Sequence, residues 1–225
     1  DYFALSPDGR RIVFEALEQE TGARALWVRE LDRGEATKLA STAGGDTPFW
    51  SPDGAQIAFF ADGKLKRLDL RGGPAQTICD APTPRGGAWG PDGRIVFSPA
   101  FRTGLSIVPA TGGEPQPLTT LDVAREEKSH RFPVFLPGGE RLLFLAQTAE
   151  GGARNDASAI EVLELASGER TRLIAANASP LYSSAGQVLF WREGTLFAQR
   201  FDASGPRLLG EPAAIASPVA FTQNE

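Results

Sequence analysis

The chain has 225 residues, 41% hydrophobic and 23% charged, with 25 Gly, 17 Pro, one Cys and no Met. That length buries a full core without staples; one cysteine (Cys79) and one histidine (His130) exclude a disulfide framework and a Cys- or His-rich metal site. A net charge of −5 excludes a broad nucleic-acid surface, and the Gly and Pro content argues against a helical bundle.

No apolar run approaches the roughly 20 residues of a membrane span, and no signal peptide is readable. The chain opens at Asp1, in a strand-like segment without an initiator methionine, and is expected to be a piece of a longer protein.

In chain order, one turn tetrapeptide recurs: SPDG at 6–9, SPDG at 51–54, GPDG at 90–93, LPGG at 136–139 and SSAG at 183–186. Each is followed by a short apolar run: RIVF at 11–14, QIAF at 56–59, RIVF at 94–97, RLLF at 141–144 and QVLF at 187–190. Trp50, Trp89, Phe135 and Tyr182 precede four of the turns, and Leu5 holds that place in the first. A second pair of anchors keeps register: Leu26 and Leu39, Leu65 and Ile78, Leu105 and Leu118, Ile160 and Leu173, Leu196 and Leu209 are each 13 apart.

Each unit reads as four strands. The first ends at the aromatic, and the turn combines the fixed φ of Pro, the self-bonding of Asp and the positive φ of Gly. The near-continuous apolar run is a second strand buried on both faces. A half-exposed third strand and a short polar fourth follow, joined by a Gly turn. Four strands per 39–47 residues is a propeller blade. The predicted fold is therefore all-β, a β-propeller of four-stranded blades with five blades at about 1–42, 43–80, 81–120, 121–175 and 176–216. PVAF at 218–221 opens a further blade or a tail. The array is expected to form part of a six- to eight-bladed ring, with a closed five-bladed ring as the alternative.

The pattern aromatic-SPDG-x-x-I-x-F followed by the Gly turn resembles the TolB-like, WD-repeat-like propellers. Blades one to three match most closely; Gly138 replaces Asp in blade four, and blade five keeps only Gly186. The strings PFWSPDGAQIAFFADGKLKRLDLRGGPAQTICDAP, SHRFPVFLPGGERLLFLA and EGTLFAQRFDASGPRLLGEP are similar to the propeller appended to bacterial serine/threonine protein kinases. That resemblance implies an upstream cytoplasmic kinase domain, a membrane span and an extracytoplasmic propeller. The chain itself has no kinase Gly-rich loop, HRD or DFG motif and no G-x-S-x-G elbow.

Asp8, Asp53 and Asp92 recur one per turn and read as caps of their own turns, since calcium needs six to eight oxygens converging on one point. Asp46, Arg85, His130, Arg131 and Asn177 lie in or beside the connections from a fourth strand to the next first strand. In a propeller these connections gather at one mouth of the channel, so the five are the expected ligand- or partner-binding rim. The alternative for His130 and Arg131 is loop bonding and blade packing. Trp27 and Trp191 read as a sugar or partner surface or as packing between blades. The polar loop AQTAEGGARNDAS at 146–158 reads as a recognition loop or a solvated spacer, and Cys79 as a small apolar filler.

Function is expected to be non-enzymatic. The reading is a sensor or protein-interaction module of a membrane-anchored kinase that binds a protein or small molecule at the channel mouth. It has no catalytic residue, metal, cofactor or nucleic-acid partner and makes no membrane insertion of its own. The alternatives are a TolB-like envelope interaction module and the accessory propeller of a prolyl-oligopeptidase-type peptidase.

Overall fold

A computed structural model describes residues 2–18, 21–148 and 158–220. It contains five four-stranded antiparallel sheets, each in sequential strand order. Blade one comprises β1 (Phe3–Leu5), β2 (Arg11–Leu17), β3 (Arg24–Glu30) and β4 (Ala36–Lys38). Blade two comprises β5 (Asp46–Trp50), β6 (Gln56–Ala61), β7 (Lys64–Asp69) and β8 (Gln76–Asp80). Blade three comprises β9 (Gly87–Trp89), β10 (Arg94–Phe97), β11 (Ser106–Pro109) and β12 (Gln116–Pro117). Blade four comprises β13 (Ser129–Phe135), β14 (Arg141–Gln147), β15 (Ala159–Glu164) and β16 (Arg170–Ala175). Blade five comprises β17 (Leu181–Ser183), β18 (Gln187–Arg192), β19 (Thr195–Asp202) and β20 (Arg207–Ala216).

The chain divides into two compact units. The first holds residues up to 101 together with 106–116; the second holds 102–105 and the residues from 117 onward.

In the first unit the apolar second strands serve two interfaces at once. Ile57 and Phe59 of β6 join Val13, Leu26 and Trp50 in the core between blades one and two. Ala58 and Phe60, pointing the other way, join Ile95, Phe97 and Val108 in the core between blades two and three. A strand buried on both faces has no polar position to spare, which is why QIAFFA is unbroken. Each fully buried large side chain contributes about 1.5–3 kcal/mol. Trp50 also donates from Nε1 to the Ala4 carbonyl at 3.0 Å. In the second unit Leu143, Ile160 and Val162 of blade four pack against Val188, Phe190 and Phe201 of blade five.

The aspartate turns cap themselves. Asp8 Oδ1 accepts from Ser6 Oγ at 2.5 Å and from Arg10 N at 3.1 Å. Asp53 repeats this with Ser51 Oγ and Ala55 N, and Asp92 accepts from Arg94 N. These bonds lead the effects that hold the Asp8 and Asp53 carboxyls below their ordinary range.

The fourth strand of blade five departs from the expected short form. β20 runs for ten residues, with register shifts opposite Leu196–Phe197 and Ala198–Arg200. Gln199 Nε2 fills the gap by donating to the Gly210 carbonyl at 2.6 Å. Beyond it, Val219 N donates to the Gly194 carbonyl at 2.7 Å. Ala81 N makes the same crossing to Gly63 in blade two, at 2.8 Å.

Candidate functional site

Asp46 opens β5, and its Oδ1 accepts from Thr47 Oγ1 at 2.9 Å. Arg85 lies just before β9; its Nη1 donates to the Pro84 carbonyl at 3.0 Å, and its guanidinium sits 5.2 Å from the Phe101 ring centroid. β5 and β9 are neighbouring first strands of the first unit. His130 and Arg131 are consecutive in β13 and both buried, with Arg131 Nε donating to Ser129 Oγ at 2.6 Å. Asn177 lies half-buried in the connection from β16 to β17. Within the first unit Asp46 and Arg85 thus stand at the starts of neighbouring strands, and in the second His130 and Arg131 are consecutive and buried in β13, away from the surface at which a binding rim was expected.

Three of them share a backbone feature. Asp46, Arg85 and Arg131 each precede a residue with positive φ: Thr47 at 46°, Gly86 at 86° and Phe132 at 52°. In β5 and β13 this is a bulge, because the pairing register breaks between Asp46 and Phe49 and between Arg131 and Val134. A bulge re-aims the side chain beside it. A branched or bulky residue at positive φ costs about 1–3 kcal/mol and persists only where its surroundings enforce it. The proline that follows, Pro48 or Pro133, was the available sequence signal.

The most developed polar cluster surrounds His130, which is 0% exposed. Its Nδ1 meets Thr119 Oγ1 at 2.7 Å and its Nε2 meets Glu127 Oε2 at 2.9 Å. The Glu127 carboxylate can only accept, so in the neutral ring Nε2 carries the hydrogen and Thr119 Oγ1, which also accepts Leu105 N at 2.8 Å, donates to Nδ1. Nδ1 is therefore the acceptor, and Nε2–H donates to Glu127. The ring edge rests on Phe144, 4.9 Å between centroids.

Arg170 completes the cluster. It donates through Nη2 to Glu127, through Nε to Glu161 at 2.8 Å and through Nη1 to the Thr120 carbonyl at 3.0 Å. Arg125 Nη1 donates to the other Glu161 oxygen at 3.1 Å. Two buried carboxylates, Glu127 and Glu161, thus face Arg170 and the half-exposed Arg125, which also pairs with Asp122 at 3.3 Å.

Burial pushes His130 below its ordinary pKa, against the opposing pull of its Glu127 bond. Burial raises Glu127, but the bonds from Arg170, Asp122 N and His130 outweigh it and hold that carboxyl below its usual range. Burial lowers Arg170, and its two carboxylates more than restore it.

Hydroxyl, imidazole and carboxylate stand here in the order of an acyl-transfer relay. The enclosed ring and the doubly engaged Thr119 hydroxyl suit it to holding structure instead. Glu127, Glu161 and Arg170 were missed in the sequence. The one signal was Glu161 inside the apolar IEVLEL, a position that burial permits only with a charged partner.

Trp191, half-buried, donates from Nε1 to the Val219 carbonyl at 2.9 Å, and Trp27, half-buried, pairs across from Phe14. Cys79 is buried, and burial followed by the Asp80 charge pushes its thiol up to about 11. The tip of the 146–158 loop, residues 149–157, lies outside the described residues. Among the described residues no group of three or more His, Cys, Asp or Glu is arranged to hold a metal ion.

No family model matches the chain. A curated relative, "Uncharacterized peptidase YuxL" of Bacillus subtilis (strain 168), is 31% identical over 147 residues. The match spans 64% of this chain, and the chain spans about a fifth (21%) of that relative's length. Among solved structures, TolB from Acinetobacter baumannii aligns with a TM-score of 0.70 at 16% identity, over 91% of this chain and 53% of TolB. An acylaminoacyl peptidase in complex with Z-Gly-Gly-Phe-chloromethyl ketone aligns with a TM-score of 0.54 at 14% identity, over 84% of this chain and 36% of the peptidase.

These likenesses overturn the expectation of a non-enzymatic chain. The relative found by sequence is named a peptidase, and a peptidase stands among the structural neighbours. The absence of familiar catalytic motifs had carried that expectation, and motif absence is weak evidence in a chain covering a fifth of its relative's length. In fold, the chain is a TolB-like β-propeller of five four-stranded blades.

Proposed function

We propose that this chain is the β-propeller of a peptidase and screens the peptides that reach its active site. The observation that carries the reading is the 31% identity over 147 residues to a relative named as a peptidase. A rigid scaffold bearing polar residues at strand starts suits such screening. Asp46 and Arg85, at neighbouring strand starts and of opposite charge, meet the incoming peptide; His130 and Arg131, expected in the same rim, are buried in β13 and serve the alternative role of bonding within their blade. The test is kcat/KM of the full-length protein on acidic and basic blocked peptides, in wild type, Asp46→Lys and Arg85→Glu. The reading expects the charge preference to shift several-fold toward acidic peptides in the first variant and toward basic peptides in the second. An unchanged preference in both, with normal folding, overturns the rim.

A second reading is favoured by the repeat strings quoted above. In it the propeller is the extracytoplasmic sensor of a membrane-anchored serine/threonine kinase, or a TolB-like envelope module, binding a protein or small molecule at the same rim. It predicts ATP-dependent phosphorylation, or partner capture, by a full-length protein that leaves peptides intact.

A further inference from the structure

Residues 118–128, the connection leading into blade four, are drawn down onto that blade by one ionic knot. Arg170 of β16 holds the Thr120 carbonyl and Glu127. Glu127 accepts Asp122 N at 2.7 Å and His130 Nε2 at 2.9 Å. The segment folds on itself through Asp122, whose Oδ1 accepts Ala124 N at 2.9 Å and whose carbonyl accepts Glu127 N at 3.1 Å. Its outer side is free of the knot: Val123 is 85% exposed. One solvent-facing tip is thus fastened by one buried charged cluster.

We propose that residues 118–128 form a proton-operated latch, closed while His130 is neutral and released when its ring takes a second proton. Bonding geometry sets the closed state. Thr119 sends its only hydrogen to Nδ1 while its oxygen receives Leu105 N. A proton on Nδ1 turns that acceptor into a donor aimed at the same oxygen, and the hydroxyl hydrogen must leave its position. The same proton places a positive charge in a buried site, facing Arg170.

The groups facing the ring come from every surrounding element. Thr119 and Glu127 belong to the connection, Phe144 to β14, Glu161 to β15 and Arg170 to β16. Glu127 and Glu161 favour the imidazolium; Arg170 and burial oppose it, and burial is the largest effect. The cost falls on burial and on the Thr119 bond, and Thr119 is itself part of the connection. The latch stands independently of the peptidase reading.

The experiment is hydrogen exchange of residues 118–128 between pH 5 and 8, corrected for intrinsic exchange and set beside the NMR titration of His130. This is the sole histidine, so its ring signal is unambiguous. Opening is expected to increase as pH falls through the His130 titration, by about tenfold for each unit by which the closed state depresses that pKa. His130→Gln, which can still donate to Glu127, is expected to remain slowly exchanging and to lose the pH dependence. Exchange that stays flat while His130 titrates overturns the latch, and so does an unchanged pH dependence in His130→Gln. The wild-type comparison decides the matter even if the variant does not fold.

Discussion

Arg11 ties blade one to Gly54 in the turn of blade two: its Nη2 donates to the Gly54 carbonyl at 2.8 Å. The same guanidinium lies 4.8 Å from the Trp50 ring centroid. One side chain therefore fastens two neighbouring turns and covers the aromatic that ends β5. Arg141 holds the matching position in blade four and reaches the Ala203 carbonyl of blade five. Arg11→Ala is expected to destabilise the fold by about 2 kcal/mol, from one charge-assisted hydrogen bond and one cation–π contact. Urea unfolding measures it as a lower midpoint with an unchanged slope.

Thr47 holds a φ of 46°, which a β-branched residue rarely adopts. Asn tolerates that region. Thr47→Asn is expected to stabilise the chain by about 0.5–1 kcal/mol, seen as a higher thermal midpoint. An equal or lower midpoint shows that the bulge is not strained.

Glu161 is buried between Arg170 and Arg125. Glu161→Ala leaves Arg170 half-paired in a dry site, a loss of about 3–5 kcal/mol. A denaturation midpoint close to that of wild type contradicts the knot as described.

Stability should also depend on pH through this cluster. The folded state depresses His130 below its ordinary 6.5, so its contribution is complete above about pH 6.5 and is lost as pH falls through the folded value. Glu127 is depressed below 4.5, so its contribution is lost lower still, as pH falls below its ordinary range. Denaturation midpoints across pH 2–8 should show both steps, and His130→Gln should remove the upper one.

The Cys79 thiol, buried and pushed up to about 11, should be inert to a disulfide reagent at pH 8 in the native state. It should react promptly in denaturant. Rapid native labelling contradicts the packing of β8 against blade three.

The blades were legible because the information that makes them is local. Pro7, Asp8 and Gly9 specify their own turn, and Ile57 to Phe60 announce burial on two faces by leaving no polar gap. The knot was not legible, because Thr119, Glu127, His130, Glu161 and Arg170 converge only when the connection folds back over β13, β15 and β16. Sequence distance hides that convergence, and Glu161 alone hinted at it. Asp46, Arg85 and Arg131 could be read as residues of successive connections. Their shared place before a left-handed residue is a backbone property, signalled in sequence only by Gly86, Pro48 and Pro133.

The most direct measurement of the central claim is product analysis of the full-length protein incubated with blocked peptides, in parallel with ATP and a serine/threonine peptide. The account predicts cleaved peptides and no phosphoryl transfer. Phosphorylated product with the peptides intact contradicts it and assigns the propeller to a kinase.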